Sequence, residues 1–476
     1  MLCTTLLLFA IPQAAEPEPT PEPAPVVQWA GAQDGTPRLG PWRAWLDSPG
    51  GELPFGLDLH LRVRNGEFRW IAELVNGPEK IDIPVVVWDA NERTLVLDMP
   101  HYDSRLTAKV SLDGTRMDGH WRKRKGLDRW ADMPFHARYF EPPLLDGVDP
   151  DPTVYLPAPR FLPLTSTPAR PVAPPKEKLA QRWRMEFQSS KDPAVGIFLQ
   201  GMDQEVRGTI MTTLGDYRFL AGRRDGTRLR LSCFDGAHAF LFDAQLQNSG
   251  TLAGMFYSSD NWQESWTARA DPGIALPDAF TQVQLAEGVD PKAPLPLEGL
   301  RYLGTDGKEH SLADKELHGQ VTIISLFGSW CPNCNDEAAL WAELHELYFD
   351  RGLRIIGLGF ELTGEADRDI KQLKRFQERW QLKHPLLLAG TANKTDAQKA
   401  FPLISQVKSY PTALFLDHSG RVRAIHSGFA GPATGPAGER LRERYVELIE
   451  DLLAEAGPDP RPEPKFKDGE AATAED

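Results

Sequence analysis

The sequence predicts a multidomain protein in which two all-β domains, each barrel- or sandwich-like, precede a C-terminal α/β domain with a mixed sheet flanked by helices. Residues 37–140 and 180–272 alternate apolar with polar side chains and are broken by Gly, Asn and Asp, which is typical of short antiparallel strands. From about Leu295 onwards, strand and helix patterns alternate, which indicates a sheet covered on both faces. The length of 476 residues is enough for about three domains.

Composition excludes several classes of protein. Lys and Arg total 53 against 67 Asp and Glu, a net charge of −14, which gives no electrostatic support for nucleic-acid binding. The four cysteines are too few for a disulfide-stapled scaffold, and no second Cys/His pair stands at zinc-ligand spacing. We therefore expect no metal and no other cofactor.

The N-terminus resembles an export signal. Residues 1–15 form a short apolar core that ends in small residues near Ala15, although a basic start is missing, so a plain apolar N-terminus is the alternative. A Pro/Glu-rich linker follows at 16–36. No other stretch approaches the roughly 18 apolar residues that span a bilayer. We expect a soluble mature protein in the periplasm, in the cell envelope or outside the cell.

The two β-rich segments resemble each other. They lie at 37–140 and 180–272, joined by a Pro-rich linker at 141–179. Matched positions are Trp42 and Trp183, Gly119 and Gly254, and Phe135 and Trp266. We interpret them as β-rich repeats 1 and 2, produced by duplication, and chance similarity between two all-β segments is the alternative.

The C-terminal elements can be placed from periodicity and turn signals. A hairpin turns on Asp306-Gly307, and a disordered tail is expected at 457–476. The predicted strands are 321–327, 353–359, 385–388, Thr412–Leu416 and 421–427, and the predicted helices are 332–350, 366–381, 395–401 and 437–455.

A Cys-x-x-Cys pair stands between the first long strand and the first long helix. Cys331 is predicted at the helix N-terminus, where unpaired N–H groups and the helix dipole stabilise a thiolate. Cys334 follows one turn later, close enough to close a small disulfide. We expect both cysteines at exposed positions, as a redox pair rather than as core residues.

Residues 295–456 resemble the thioredoxin superfamily, and specifically the TlpA/ResA-like group with its redoxin (AhpC/TSA-like) domain. The motifs that carry the resemblance are Ser329-Trp330-Cys331-Pro332-Asn333-Cys334, Tyr410-Pro411-Thr412 with the strand after it, and the lead-in hairpin from Thr305. The resemblance implies a thioredoxin-like domain at 285–456 that acts as a protein-disulfide oxidoreductase. It covers about a third of the chain.

The resemblance also implies roles for individual residues. Cys331 would be the attacking thiolate and Cys334 the resolving thiol of a redox-active disulfide. Pro411 would be a cis-proline beside the sulfurs, which leaves the backbone of Tyr410 free to pair with substrate. Trp330 would shield the site. The substrate-binding residues would be Trp330, Tyr410 and Thr412.

The proton shuttle of minimal thioredoxins must lie elsewhere in this chain or be absent. Thioredoxins carry an Asp on the preceding strand, where this chain has Ser325. Glu337 lies one helical turn after Cys334 and matches a Glu of ResA-like proteins that is proposed to modulate the cysteine pKa values. A first-turn Glu favoured by the helix dipole is the equally weighted alternative. Glu361 is a weaker candidate.

Three functional hypotheses follow. The first is an exported reductase that takes electrons from a membrane thiol donor and acts on extracytoplasmic thiol/disulfide proteins, apocytochrome c among them. The second is a peroxiredoxin-like antioxidant enzyme, against which Gly328 counts, because peroxiredoxins need Thr or Ser at that position. The third is a non-enzymatic envelope-binding protein with an accessory redox domain. Cys233 is predicted to be a buried, inert thiol, and Pro332-Asn333 does not determine the direction of electron flow.

Overall fold

The computed structural model describes residues 35–64, 66–141, 160–161, 178–201 and 204–457. The candidate signal peptide, most of both proline-rich linkers and the C-terminal tail lie outside the described residues. No helix among those described is both long and apolar enough to cross a membrane.

The first β-rich repeat is an open, nine-stranded antiparallel sheet. Its strands are β1 Gly40–Ser48, β2 Gly51–Arg64, β3 Glu67–Asn76, β4 Glu79–Asp82, β5 Val85–Asp89, β6 Thr94–Met99, β7 Ser104–Val110, β8 Arg116–Arg124 and β9 Trp130–Tyr139. They are ordered β4-β3-β2-β1-β9-β8-β7-β6-β5, and the edges β4 and β5 are not joined. We call this sheet the half-barrel. A short 3-10 helix, Pro100–Tyr102, follows β6.

The second repeat is a closed antiparallel barrel. Its strands are β10 Arg182–Phe187, β11 Ala194–Gln200, β12 Glu205–Thr212, β13 Gly215–Asp216, β14 Leu220–Asp225, β15 Arg228–Phe234, β16 Ala239–Leu246, β17 Leu252–Ser258 and β18 Trp262–Ala270. Because β11 pairs with both β10 and β12, eight strands form a complete ring, and the short β13 is added beside β12. We call this sheet the barrel, and the two sheets together the β-rich region.

Both repeats pair their first strand with their last in the same register. Ala44 lies opposite Ala137 in the half-barrel, and Met185 lies opposite Ala268 in the barrel. In each repeat a glycine faces the matched aromatic residue: the pairs are Gly119 with Phe135, and Gly254 with Trp266. A Cβ at either glycine would approach a neighbouring backbone oxygen to 1.9 or 2.1 Å. The shared constraint supports our interpretation of a duplication.

The open half-barrel is completed by a side chain of the barrel. Phe234, fully buried, packs in the half-barrel core with its ring 4.4 Å from that of Phe55 and 5.4 Å from that of Trp121. Asn76 fixes this insertion with two hydrogen bonds to the Phe234 backbone, of 2.9 and 3.1 Å. The two repeats therefore share one apolar core across their junction.

Two residues of the predicted linker reinforce that junction. Arg160 donates to the Val75 carbonyl at 3.0 Å, to Asn76 Oδ1 at 2.7 Å and to Ser232 Oγ at 3.0 Å. Phe161 beside it is buried in the half-barrel core. This part of the linker is thus packed structure rather than a spacer.

The C-terminal domain is a seven-stranded mixed sheet with four helices. Its strands are β19 Arg301–Gly304, β20 Glu309–Ser311, β21 Val321–Phe327, β22 Leu353–Glu361, β23 Leu386–Thr391, β24 Thr412–Leu416 and β25 Val422–Ser427, and its helices are α1 Pro332–Tyr348, α2 Ala366–Trp380, α3 Lys394–Ala400 and α4 Pro436–Ala456. The order is β20-β19-β23-β22-β21-β24-β25, in which β21, β22 and β23 are parallel. This confirms the predicted fold class.

Candidate dithiol site

The Cys-x-x-Cys pair lies where the fully buried strand β21 leads into α1. Cys331 is the N-cap of α1, with φ −95° and ψ 119°, and Pro332 occupies the first turn, where its missing N–H costs nothing. The sulfur of Cys331 is 3.5 Å from the carbonyl oxygen of Tyr410, and the Tyr410–Pro411 peptide bond is cis. The predicted juxtaposition of Cys331 with a cis-proline is therefore present.

The two thiols have opposite electrostatic environments. The pKa of Cys331 is lowered, first by the hydrogen bond from the Cys334 thiol and then by backbone N–H groups at the helix start and the charge of Lys123. The pKa of Cys334 is raised well above its ordinary value, mainly because the thiol is buried. These opposite directions make Cys331 the thiol of the pair that ionises more readily.

The expectation that both cysteines are exposed is wrong. Cys331 is 8% exposed and Cys334 is 2% exposed, and Asn333 between them is also only 8% exposed. The sequence predicted exposure because a helix N-terminus usually faces solvent. Here the β-rich region packs against that end of α1, with Gly215 against Asn333 and Arg218 paired with Asp336.

The turn that presents Cys331 is held from two sides. Buried Glu361, at the end of β22, accepts hydrogen bonds from the N–H and hydroxyl of Ser329 at 2.9 and 2.8 Å. Asn335 donates to the carbonyls of Ser329 and Cys331 at 3.1 and 2.9 Å and accepts from Trp380 at 2.9 Å. Asn335 carried no recognisable sequence signal, because its role depends on the path of the turn.

Of the predicted substrate-binding residues, Tyr410 contacts the Cys331 sulfur through its carbonyl oxygen, and Trp330 packs against Tyr410. Trp330 is half-buried, donates to the Phe360 carbonyl at 2.9 Å and packs edge-on against Tyr410, with ring centroids 6.0 Å apart. Thr412 is fully buried, and its hydroxyl already bonds to the Ser409 carbonyl at 3.0 Å. The proposed contacts of these residues with a substrate stay predictions.

Glu337 lies beneath the dithiol and is completely buried. Its Oε2 accepts a hydrogen bond from Ser325 at 3.0 Å, so the carboxyl group lies against the strand position where thioredoxins carry Asp. Its Oε1 is 3.3 Å from the hydroxyl of Tyr445, which is in turn 2.8 Å from Nδ1 of His426. Burial raises the pKa of Glu337 to about 7. A group with this pKa can both accept and return a proton near neutrality.

A small cavity connects Glu337 with the second sulfur. It is lined by Cys334 and Glu337 together with Ser325, His384 and apolar side chains, and its volume is about 10 Å³. That is close to the lower limit for holding one water molecule. The Cys334 thiol and the Glu337 carboxyl group therefore line the same cavity.

A cation from the half-barrel completes the electrostatics of the site. Lys123, in β8, donates to the carbonyl of Ala237 at 2.7 Å, and burial lowers its pKa to about 8. Its charge lowers the pKa of Cys331, and the thiolate in return favours the charged amine. No sequence signal connects Lys123 with a cysteine more than 200 positions away.

A further cysteine and a cluster of metal-ligand side chains lie outside the site. Cys233 is fully buried in the barrel core, as predicted. Asp58, His60 and Glu73 form a group with metal-ligand side chains on the half-barrel, but the amine of Lys80 lies 3.3 Å from Glu73 and 3.7 Å from Asp58. Because Lys80 already pairs with two of its carboxylates, this group is an ion-pair cluster.

Residues 291–425 match the model of the AhpC/TSA family. The ResA thiol-disulfide oxidoreductase of Halalkalibacterium halodurans is 24% identical over 152 residues, which cover 32% of this chain and 75% of that protein. The thioredoxin-like protein YneN of Bacillus subtilis is 27% identical over 122 residues, covering 26% of this chain and 64% of YneN. The ResA protein of Geobacillus thermodenitrificans is 27% identical, covering 26% and 62%. The chain thus spans about two thirds of these relatives.

Solved structures are similar over the same region. A thiol:disulfide interchange protein of the thioredoxin family from Chlorobium tepidum aligns with 20% identity over 35% of this chain and 99% of its own, with a TM-score of 0.26. StoA from Bacillus subtilis aligns with 18% identity over 30% and 92%, with a TM-score of 0.22. The match to the AhpC/TSA family model and the similarity to ResA thiol-disulfide oxidoreductases both lie in the C-terminal region of this chain, which confirms the resemblance predicted from the sequence.

Proposed function

We propose that this chain is an exported thiol-disulfide oxidoreductase that works as a reductase on extracytoplasmic proteins. One observation carries the proposal: Cys331 is the N-cap residue of α1, with its sulfur 3.5 Å from the carbonyl oxygen of Tyr410 in the cis Tyr410–Pro411 peptide, and the buried acid Glu337 lines a cavity together with Cys334. This arrangement would supply a thiolate, a resolving thiol and a proton acceptor.

The reaction has two steps. The thiolate of Cys331 attacks one sulfur of a substrate disulfide, the substrate S–S bond breaks, and a mixed disulfide forms while the leaving sulfur takes up a proton. Cys334 then loses its proton and attacks the sulfur of Cys331, which releases the second substrate sulfur as a thiol. The substrate gains two electrons and two protons, and the enzyme holds a Cys331–Cys334 disulfide.

Glu337 would serve the second step. Cys334 cannot attack as a thiol, and its raised pKa means that few molecules ionise unaided near neutrality. Glu337, with its pKa raised to about 7, accepts that proton across the shared cavity and returns it when the pair is reduced again. Pro411 and Tyr410 would position the substrate sulfur, and Trp330 would exclude water.

The disulfide must be reduced again by a donor of two electrons. We propose a membrane thiol carrier, and substrates that include apocytochrome c, because the similarity is to ResA proteins. A periplasmic or cell-envelope location follows from the same similarity and from the signal-like residues 1–15. The protein would then contribute to redox homeostasis outside the cytoplasm.

A peroxidase function has no support in the geometry. Gly328 lies three residues before Cys331, and a Cβ there would be 2.4 Å from Nε1 of Trp330. The turn therefore has no room for the Thr or Ser side chain that peroxiredoxins place at this position.

The test is the reduction potential of the full chain, measured against a glutathione or dithiothreitol couple. A potential at or below about −250 mV supports the reductase, whereas one near roughly −120 mV makes the protein an oxidant and overturns the proposed direction. In parallel, Cys334→Ser should accumulate a mixed disulfide at Cys331 with an oxidised substrate protein, and Cys331→Ser should not. A cellular phenotype that stays intact in the Cys331→Ser/Cys334→Ser double variant would support the non-enzymatic alternative.

A further inference from the structure

The substrate-facing side of the dithiol is covered by the chain's own β-rich region. Asn333, which lies between the two cysteines, is only 8% exposed, and Pro332, Tyr410 and Pro411 are buried as well. None of this burial was expected for an enzyme that must meet a second protein at Cys331. The covering groups come from two segments, one in each β-rich repeat.

The first segment is Leu214–Arg218 of the barrel, which we call the cap turn. Its Gly215, with φ +145°, lies so close to Asn333 that a Cβ would be 2.1 Å from Nδ2 of that side chain. The backbone of Leu214 lies against Gly428, where a Cβ would be 2.6 Å from the Leu214 carbonyl carbon. Asp216 accepts a hydrogen bond of 2.7 Å from the N–H of Gly431. The cap turn is therefore in backbone-level contact with the domain.

The second segment lies on the other side of the site. The carbonyl of Pro100, in the half-barrel, accepts a hydrogen bond of 3.0 Å from Gln372 on α2. Asp103, at the end of the same segment, forms an ion pair with Arg368 of α2. Contacts from the β-rich region thus flank the dithiol on both the α1 side and the α2 side.

One buried cation joins the three parts of the chain. Arg218, whose side chain is 7% exposed, pairs with Glu79 of the half-barrel at 3.0 Å, with Asp235 of the barrel at 3.4 Å, and with Asp336 of α1. Removing its charge would leave the carboxyl groups of these three elements facing one another. Arg218 therefore holds the cap turn against the helix that carries the cysteines.

We propose that the cap turn is a specificity-determining element, which admits small disulfides and flexible, extended cysteine segments to Cys331 and excludes folded proteins while it is closed. The proposal rests on the proposed function and narrows its substrates to unfolded or thin cysteine-bearing chains. Arg218 acts as a positioning residue, because it touches the cap and α1 rather than the sulfurs. Access by a bulky group requires separation of the β-rich region from α1.

The test compares a small and a bulky thiol reagent on the reduced full-length protein. N-ethylmaleimide and a polymer-linked maleimide of several kilodaltons are reacted with it, and labelling of Cys331 is followed by mass spectrometry. For each reagent, the labelling rate of Cys331 is divided by the rate at which the same reagent labels a small exposed thiol. In the wild type, this relative rate should be at least roughly tenfold lower for the polymer reagent than for N-ethylmaleimide, because the open state is a minor population. Equal relative rates for the two reagents would overturn the proposal without any variant.

Two variants should open the cap. Gly215→Ala places a methyl group into Asn333, and Arg218→Met removes the shared cation, so both should raise the polymer rate at Cys331 while changing the N-ethylmaleimide rate less. Gly226→Ala is the matched control, because Gly226 also has positive φ, at +61°, in the same barrel but has no atom within 4 Å of a Cβ. Native near-UV circular dichroism confirms folding. An unchanged polymer rate in both folded variants would overturn the proposal.

The proposed function is checked separately on the same samples. Reduction of a small aromatic disulfide by the wild type measures redox activity that needs no cap opening. If this reaction is absent, the proposed function fails. If it is present but the reagents show no size discrimination, only the cap proposal fails.

Discussion

The C-terminal domain and the β-rich region contribute different things to the same two sulfurs. Beneath the dithiol, the C-terminal domain supplies an acid, Glu337, in a sealed environment of its own side chains. Above it, the β-rich region supplies a cation, Lys123, and a cover held by Arg218. The C-terminal domain thus provides the buried acid, whereas the burial of Cys331 and the cation near it depend on a separate part of the chain. The following predictions separate the two contributions.

The largest expected effect concerns the integrity of the β-rich region. Phe234→Ala should lower the free energy of unfolding by about 3–5 kcal/mol, because the ring fills the open half-barrel and leaves a cavity against Phe55 and Trp121. Denaturant unfolding followed by tryptophan fluorescence measures it. Phe198→Ala, in the barrel core, is the control and should leave the Trp121 environment unchanged. A loss below about 1 kcal/mol for Phe234→Ala would show that the repeats do not share a core.

The next effect concerns stability against pH. Burial raises the pKa of Glu337 from 4.5 to about 7, so over that interval the unfolded chain ionises while the folded chain keeps its proton. The unfolded state then binds fewer protons, and the free energy of unfolding falls as pH rises, by on the order of 3 kcal/mol from this group. Glu337→Gln should remove that part of the slope. An identical pH slope in wild type and variant would contradict the raised pKa.

The same residue should affect the chemistry. Glu337→Gln should slow the attack by Cys334 on a preformed mixed disulfide by about 10²-fold at neutral pH, the usual contribution of a general base. Stopped-flow measurement of product release gives the rate. Glu343→Gln is the control, since Glu343 is on the exposed face of α1 and pairs with Arg442. If both variants release product at the wild-type rate, Glu337 takes no part in the attack by Cys334.

The smallest expected effect separates the cation from the cover. Lys123→Met keeps the length of the side chain but removes the charge, so the pKa of Cys331 should rise and its alkylation below that pKa should slow by up to roughly tenfold. The pH profile of iodoacetamide labelling measures it. Lys125→Met is the matched control, because Lys125 pairs with Asp260 at 2.8 Å. Equal profiles for both variants would exclude Lys123 from thiolate stabilisation.

Much of the C-terminal domain could be predicted from the sequence, since its signals are local. The strand Thr412–Leu416 is found as predicted, and α1 begins at Pro332 as predicted and ends two residues early, at Tyr348. Strand β22 continues to Glu361, two residues beyond its predicted end, and thereby brings Glu361 to Ser329. Periodicity determines that these elements exist, whereas their ends depend on neighbouring strands.

The sequence by itself determined the two β-rich repeats, the α/β domain, the redox pair and the acid one turn after it, because strand alternation, helix periodicity and residue spacing act over a few positions. Only the tertiary structure decided that one repeat closes and the other is completed by Phe234. It also decided that Arg218 and Lys123 reach the site and that Cys331 is covered. These contacts join residues more than a hundred positions apart, and which distant surfaces meet depends on packing that no local pattern encodes.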